Sequence, residues 1–315
     1  MEIGETIAVA SGLNDGLDAN CPFKLEGPDT ADDEGEAPAK DDLEAAEAIQ
    51  QNNGGVLGEN LAKGSPAGWG KSGTINDIFP PSDKDPAKRE DSTTDPSRRV
   101  KVGSKDYGYI VAAHHLIPGE AALAPSGLYQ CYMKKGGKVT TVAGKSYTLK
   151  TNIGYNVNGN HNGAWLPGNY AIRKSKPQFN STGKTWSELI VSDDKWCYAY
   201  MTACVDKAGG QFHDSHTKYS TAVLSVLDKI ESRLRAHQDS CEECKSKTEL
   251  YPPYILKTRL YMLSKFLRSQ VRVKPGVWKS TWITSDRFKA DMQKHGRVVP
   301  NQVELGVIAL GPGSS

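Results

Sequence analysis

Long apolar runs are missing from this chain. No stretch of its 315 residues approaches the roughly 18–20 consecutive apolar side chains that a membrane-crossing helix needs, so no membrane partner is expected. The first residues, MEIGETIAVASGLNDG, carry no basic leader and no apolar core, and so lack the marks of a signal peptide. The expectation is a protein made in the cytoplasm and exported only if a dedicated machine carries it. Cysteine is also sparse. Six residues (Cys21, Cys131, Cys197, Cys204, Cys241 and Cys244) in a chain of this length do not make a disulfide framework. Apolar residues account for 37%, a little below the usual share, and mean hydropathy is −0.54.

Positive charge is nearly absent from the first sixty residues, which hold 15 Asp/Glu against Lys24 and Lys40 alone. The remaining residues carry 37 basic and 22 acidic side chains. A nearly neutral protein is thus an acidic arm joined to a basic body. Aromatics are rare before residue 100, where Asp, Glu, Gly, Pro, Ser and Lys dominate. That composition predicts a mostly disordered low-complexity arm and linker over residues 1–100. One short helix is expected within it at Asp41–Gln51, stopped by Asn52-Asn53-Gly54-Gly55, and a linker over residues 80–99. An ordered domain is expected over 101–300 and a tail over 301–315. A basic body suits a polyanionic partner such as nucleic acid; a solvated surface without a partner accounts for the charge equally well.

Inside the ordered part, Tyr107–Ala113 reads as a strand leading into His114 and His115. Ser126–Lys135 reads as a short helix ending at Gly136-Gly137, and Val139–Val142 with Ser146–Leu149 as a hairpin turning at Ala143-Gly144. The stretch NVNGNHNGAWLPGN (156–169) reads as a structured loop with a short strand at Ala164–Leu166. Apolar residues at helical spacing predict helices over Thr217–Arg235, Pro253–Val271 and Ser285–Lys294. The fold class is α+β.

Four of the seven histidines fall in two close pairs. His114 and His115 end the strand. His213 and His216, in QFHDSHTKYS, stand where the long helix begins. Side chains three apart on a helix share a face, so His213 and His216 can converge on one ion. Neighbours on a strand point to opposite sides, so one of His114 and His115 can ligate while the other faces a substrate. Three neutral imidazoles suit a divalent transition ion with an open position. The fourth can take a proton near neutral pH. That division of labour is what single-metal phosphodiester hydrolysis requires.

The stretches AAHHLIP (112–118), NGAWLP (162–167) and FHDSHTKY (212–219) resemble the AHH nucleases of the HNH/endonuclease VII superfamily, over about residues 107–230. The resemblance implies a ββα-metal nuclease core with additional C-terminal helices behind the acidic N-terminal arm. It implies one divalent ion (Zn, Mg, Mn or Ni) held by His114, His213 and His216, with His115 as general base and Asn162 orienting it by a hydrogen bond. The spacing of His213 and His216 departs from the commoner i, i+4, which leaves Asp214 or His161 as substitutes for His213. The resemblance further implies a role common in this family, a toxin of polymorphic or type VI secretion systems. Such a protein would be an antibacterial effector delivered into a target cell and hydrolysing DNA. A cognate immunity protein and a secretion component contacting the N-terminal arm would be its partners. Two other readings stand beside it: an RNase using the same site, and a non-catalytic nucleic-acid-binding module with a structural zinc.

Three weaker signals remain. Cys241 and Cys244, with His237 nearby, are half of a zinc site or two free thiols on a turn. His161 reads as a loop histidine in solvent or as a substitute ligand. Lys257, Arg259, Lys265, Arg268, Arg272 and Lys274 form either a phosphate-facing or a merely solvated basic set. Gly68–Gly73 lacks the glycine a phosphate loop requires at position 65, which is Ser65.

Overall fold

The computed structural model describes residues 52–63, 99–140, 144–175, 177, 179–240, 244, 247–253, 255–272 and 280–294. The expected helix 41–51, the linker over 80–98, the Gly68–Gly73 stretch, Cys241, Lys274 and the tail 301–315 lie outside these residues. Helix α1 (Gly54–Lys63) is followed by strands β1 (Arg99–Val102), β2 (Lys105–Gly108) and β3 (Ile110–His115). After a π-turn at Gly119–Leu123 come α2 (Gly127–Tyr132), β4 (Lys138–Thr140), β5 (Ser146–Leu149) and β6 (Gly163–Gly168). Helices α3 (Trp186–Ser192), α4 (Asp194–Ala208) and α5 (Thr217–Ser240) lead to β7 (Glu249–Leu250), α6 (Ile255–Arg272) and α7 (Asp286–Lys294). The mix of helices and small sheets is α+β.

The described strands form three small sheets. β1 and β2 make a hairpin, and β4, β5 and β7 a second sheet in which β5 and β7 run parallel. The third sheet positions the histidines: β3 and β6 pair antiparallel, with His114 opposite Ala164 and His115 opposite Gly163. All six residues of β6 are buried, because this two-stranded ribbon separates two cores. Strand side chains alternate in direction. Ala164 and Leu166 therefore enter one core, built on Tyr219, Val223, Leu227, Leu260 and Leu263 of α5 and α6. Trp165 enters the other, with Val111, Leu57, Leu61, Tyr200 and Phe212. Ala113 packs on that second core, so His115, two residues on, shares its face.

Local chemistry explains most boundaries. Ser126 caps α2, its side chain accepting from the Tyr129 N–H, and Ser285 accepts from Phe288 N–H at 2.9 Å to start α7. The apolar positions of α5 (Tyr219, Val223, Val226, Leu227, Ile230 and Leu234) are all buried, as the periodicity predicts. α5 runs on to Ser240, past the expected end. The expected strand Tyr107–Ala113 is instead broken at Tyr109, giving β2 and β3 different partners. Two helices, α3 and α4, were not anticipated, although Thr185 and Glu188 form a full capping box at the start of α3.

The expected low-complexity arm is corrected at one point. Asn52-Asn53-Gly54-Gly55, expected to stop a helix, starts one. The Asn53 side-chain oxygen accepts from Gly55 N–H at 3.0 Å and Val56 N–H at 3.1 Å, an N-cap. Leu57 and Leu61 of this helix are 0% and 1% exposed, each burial worth about 1.5–3 kcal/mol. They fill the space beside Gly163, where a β-carbon would lie 2.8–2.9 Å from them.

A candidate metal centre and the histidine beside it

Three of the expected ligands converge. One ring nitrogen from each of His114, His213 and His216 can be chosen so that all lie within 4.8 Å of one another, wider than the roughly 3.4 Å between nitrogens bound tetrahedrally about 2.1 Å from one ion and near enough for small ring movements to close the gap. The ring centroids of His114 and His213, and of His114 and His216, are both 5.0 Å apart. The means of convergence differs from the helical argument, since both later histidines precede α5. His213 is pinned to the end of β6, its N–H donating to the Pro167 carbonyl at 2.7 Å in a parallel bridge beside Gly168. His216 stands one residue before the helix, and its carbonyl accepts from Ser220 N–H.

The environment suits a cation. Both ring nitrogens of His114 are buried without a hydrogen-bond partner, a costly state that ligation of one nitrogen relieves. His213 Nδ1 is 3.2 Å from the Tyr170 hydroxyl, and His216 Nδ1 is 3.4 Å from Ser220 Oγ. Such outer partners fix ring orientation and leave Nε2 of each ring for an ion. Burial holds His114 well below its ordinary value, with further lowering from His216, His213 and His115. Burial also brings His213 down to about 3 and lowers His216. All three are therefore neutral, the form that ligates.

His115 is set apart. It is 9% exposed, and its Nε2 lies 2.8 Å from Asn158 Oδ1. The same oxygen accepts the Asn53 backbone N–H at 3.0 Å, and the Asn158 carbonyl accepts from Asn60 Nδ2 at 2.9 Å. Burial lowers His115, opposed by the Asn158 bond and by Glu120.

Asn162, expected to orient His115, does not touch it. Its oxygen accepts from Ile117 N–H at 2.8 Å and Ser264 Oγ–H at 3.1 Å, while its amide donates to the Ile117 and Val157 carbonyls at 2.9 Å. Fully buried, it staples the turn after β3 to the loop before β6. Asn158 is the amide that meets His115, and sequence reading passed over it. The only signal was its place in the asparagine-rich stretch NVNGNHNG.

The other candidates fall away from the cluster. Both oxygens of Asp214 are occupied, by Asn169 Nδ2 and Trp186 Nε1, each at 3.2 Å. His161 is buried rather than a solvent loop histidine, edge-on to Tyr155 and Tyr261, and burial lowers it to about 3. The α6 basic set is only partly solvated, with Lys265 exposed. Arg259 is fully buried, and Arg268 donates to the carbonyls of Gly163, Asn160 and His161 at 2.8–3.1 Å. Cys131, Cys197 and Cys204 are free thiols, and Cys244 is buried.

No curated protein and no solved structure matches the chain significantly. Residues 100–252, which carry Ala113-His114-His115 and both later histidines, match the model of AHH, a nuclease family of the HNH/ENDO VII superfamily with conserved AHH.

Proposed function

We propose that the chain is a metal-dependent endonuclease that hydrolyses DNA phosphodiester bonds with His115 as general base. The observation that carries this reading is the gathering of His114, His213 and His216, with His115 next to them, close enough to interact electrostatically with each, and hydrogen-bonded to Asn158 instead of joining the cluster. A divalent ion held by the three imidazoles would supply Lewis-acid stabilisation of negative charge on the phosphate and leaving oxygens. His115 takes a proton from the attacking water while that water's oxygen bonds to phosphorus and the phosphorus–oxygen ester bond breaks. Tyr170 and Ser220 orient the ligand rings. Asn162 fixes the turn that follows His114 and His115.

Incubation with plasmid and with RNA, with added metal and with chelator, tests the reading. DNA cleavage should require metal and fall steeply with salt, as phosphate-based binding does. His115→Ala should lose about 10²–10⁴-fold in rate while metal binding, read by calorimetry, persists. Cleavage of RNA alone would overturn the DNA assignment, and metal binding without any cleavage would favour a structural site in a binding module.

The role of a delivered antibacterial toxin, with an immunity protein as partner, rests on the family resemblance and on the strong acidity of residues 1–60. Expression of the full chain in a bacterial cytoplasm should arrest growth, and His115→Ala should relieve the arrest. Removing residues 1–51 should impair export if that arm engages a secretion component.

A further inference from the structure

We propose that α1, upstream of the family-matched segment 100–252, is a working part of this site: with Asn53 and Asn60 it holds Asn158 so that His115 keeps its proton on Nε2 and presents Nδ1 as the base nitrogen. The proposal rests on reading His115 as the base.

The argument is one of donors and acceptors. A backbone N–H can only donate. The Asn53 N–H points at the Asn158 side-chain atom that also meets His115, so that atom must be the carbonyl oxygen and not the amide nitrogen. A carbonyl oxygen can only accept, so His115 Nε2 must carry the hydrogen. The neutral ring has a single N–H, which leaves Nδ1 with its lone pair. Asn60 fixes the backbone of Asn158 from about two turns further along α1, and Asn52 Oδ1 accepts the Gly119 N–H at 2.7 Å just beyond β3. Two apolar side chains anchor these polar contacts. Leu57 and Leu61 occupy the gap left by Gly163, the residue paired with His115 across the ribbon. The helix thus reaches both strands and the loop that meet around His115. Asn158, Asn53 and Asn60 are positioning residues, acting on water only through His115.

Full-length protein decides the matter, metal-free for spectra and loaded with Mg²⁺ or Mn²⁺ for turnover on DNA. Two-bond proton–nitrogen correlation of the His115 ring should show the hydrogen on Nε2. Asn158→Leu should mix the tautomers and lower kcat about 10–100-fold, as loss of an outer hydrogen-bond partner does, with KM little changed. Asn158→Asp keeps an acceptor for both N–H groups and should restore most of kcat. The double substitution Leu57→Ala with Leu61→Ala should undock α1, visible as protease cleavage within it, and bring the same tautomer mixing and kcat loss. Should the double variant fail to fold, Asn60→Leu takes its place, with an expected loss of about two- to tenfold. A wild-type ring protonated on Nδ1, or an undocked α1 with unaltered kcat and tautomer, overturns the proposal. If His115→Ala is inactive in that case, the base reading survives alone; if it cleaves at the wild-type rate, the base reading itself fails.

Discussion

At the end of the β3–β6 ribbon three imidazoles gather within 4.8 Å of one another; beside them a single imidazole is held through a relay of amides. The first group comes entirely from the matched segment, and its partners Tyr170, Tyr219 and Ser220 do too. The second is completed by α1, from outside it. Imidazoles proposed to share an ion need only meet and stay neutral, which burial ensures. The proposed base must also hold its one proton on a chosen nitrogen, and that takes directional partners.

The sharpest way to break this comparison is to remove one histidine from each group. His114→Ala should abolish metal binding in calorimetry and lower turnover about 10³-fold or more, whereas His115→Ala should keep metal affinity and lose only rate. Loss of metal in both variants would make His115 one more ligand. Next in size is pH. His213 and His161 fall from 6.5 to about 3 on folding, so the unfolded chain binds more protons than the folded one between those values. Their stabilisation is complete above pH 6.5 and drains away as pH drops toward 3. These two groups alone should take about 4 kcal/mol from metal-free protein in urea unfolding between pH 7.5 and 5, and the lowered His114 adds to that loss. Saturating metal should protect His213 and not His161.

Smaller effects sharpen the contrast between the two asparagines. Asn162→Ala should cost about 2–3 kcal/mol of stability, since it strands buried donors and acceptors, yet leave the His115 tautomer unchanged in nitrogen spectra. A tautomer change there would return to Asn162 the orienting role it was expected to have. The least effect is expected from Gly163→Ala. Its methyl would press on the ends of Leu57 and Leu61, and those tips can yield, so about 1 kcal/mol is expected. Faster hydrogen exchange in α1, with unaltered metal affinity, is the measurement.

What could be read from the chain follows from the range of each signal. The stripes on α5 and α6 were legible because burial repeats every turn. The histidine pairs were legible because the residue type names its chemistry, even though His213 reaches the cluster through a bridge to Gly168 and not along a helix. α3 and α4 carried a legible cap in Thr185 and Glu188 that went unread. Asn158 could not be distinguished from Asn156, Asn160 or Asn162 by sequence, because what sets it apart is contact with residues about a hundred positions away. Asn52-Asn53-Gly54-Gly55 was ambiguous for a related reason. Asparagine and glycine favour both ends of a helix, and only Leu57 and Leu61 finding a socket decides which end this is.

That socket bears on how the protein can be divided. A ten-residue helix has little stability by itself in water, so α1 is ordered by docking rather than before it. A fragment trimmed at the family boundary would keep its three ion-binding rings and lose the clasp on the fourth. Restoring the clasp with a separate peptide spanning 52–63 would turn a weakened fragment into one whose turnover rises with the peptide added.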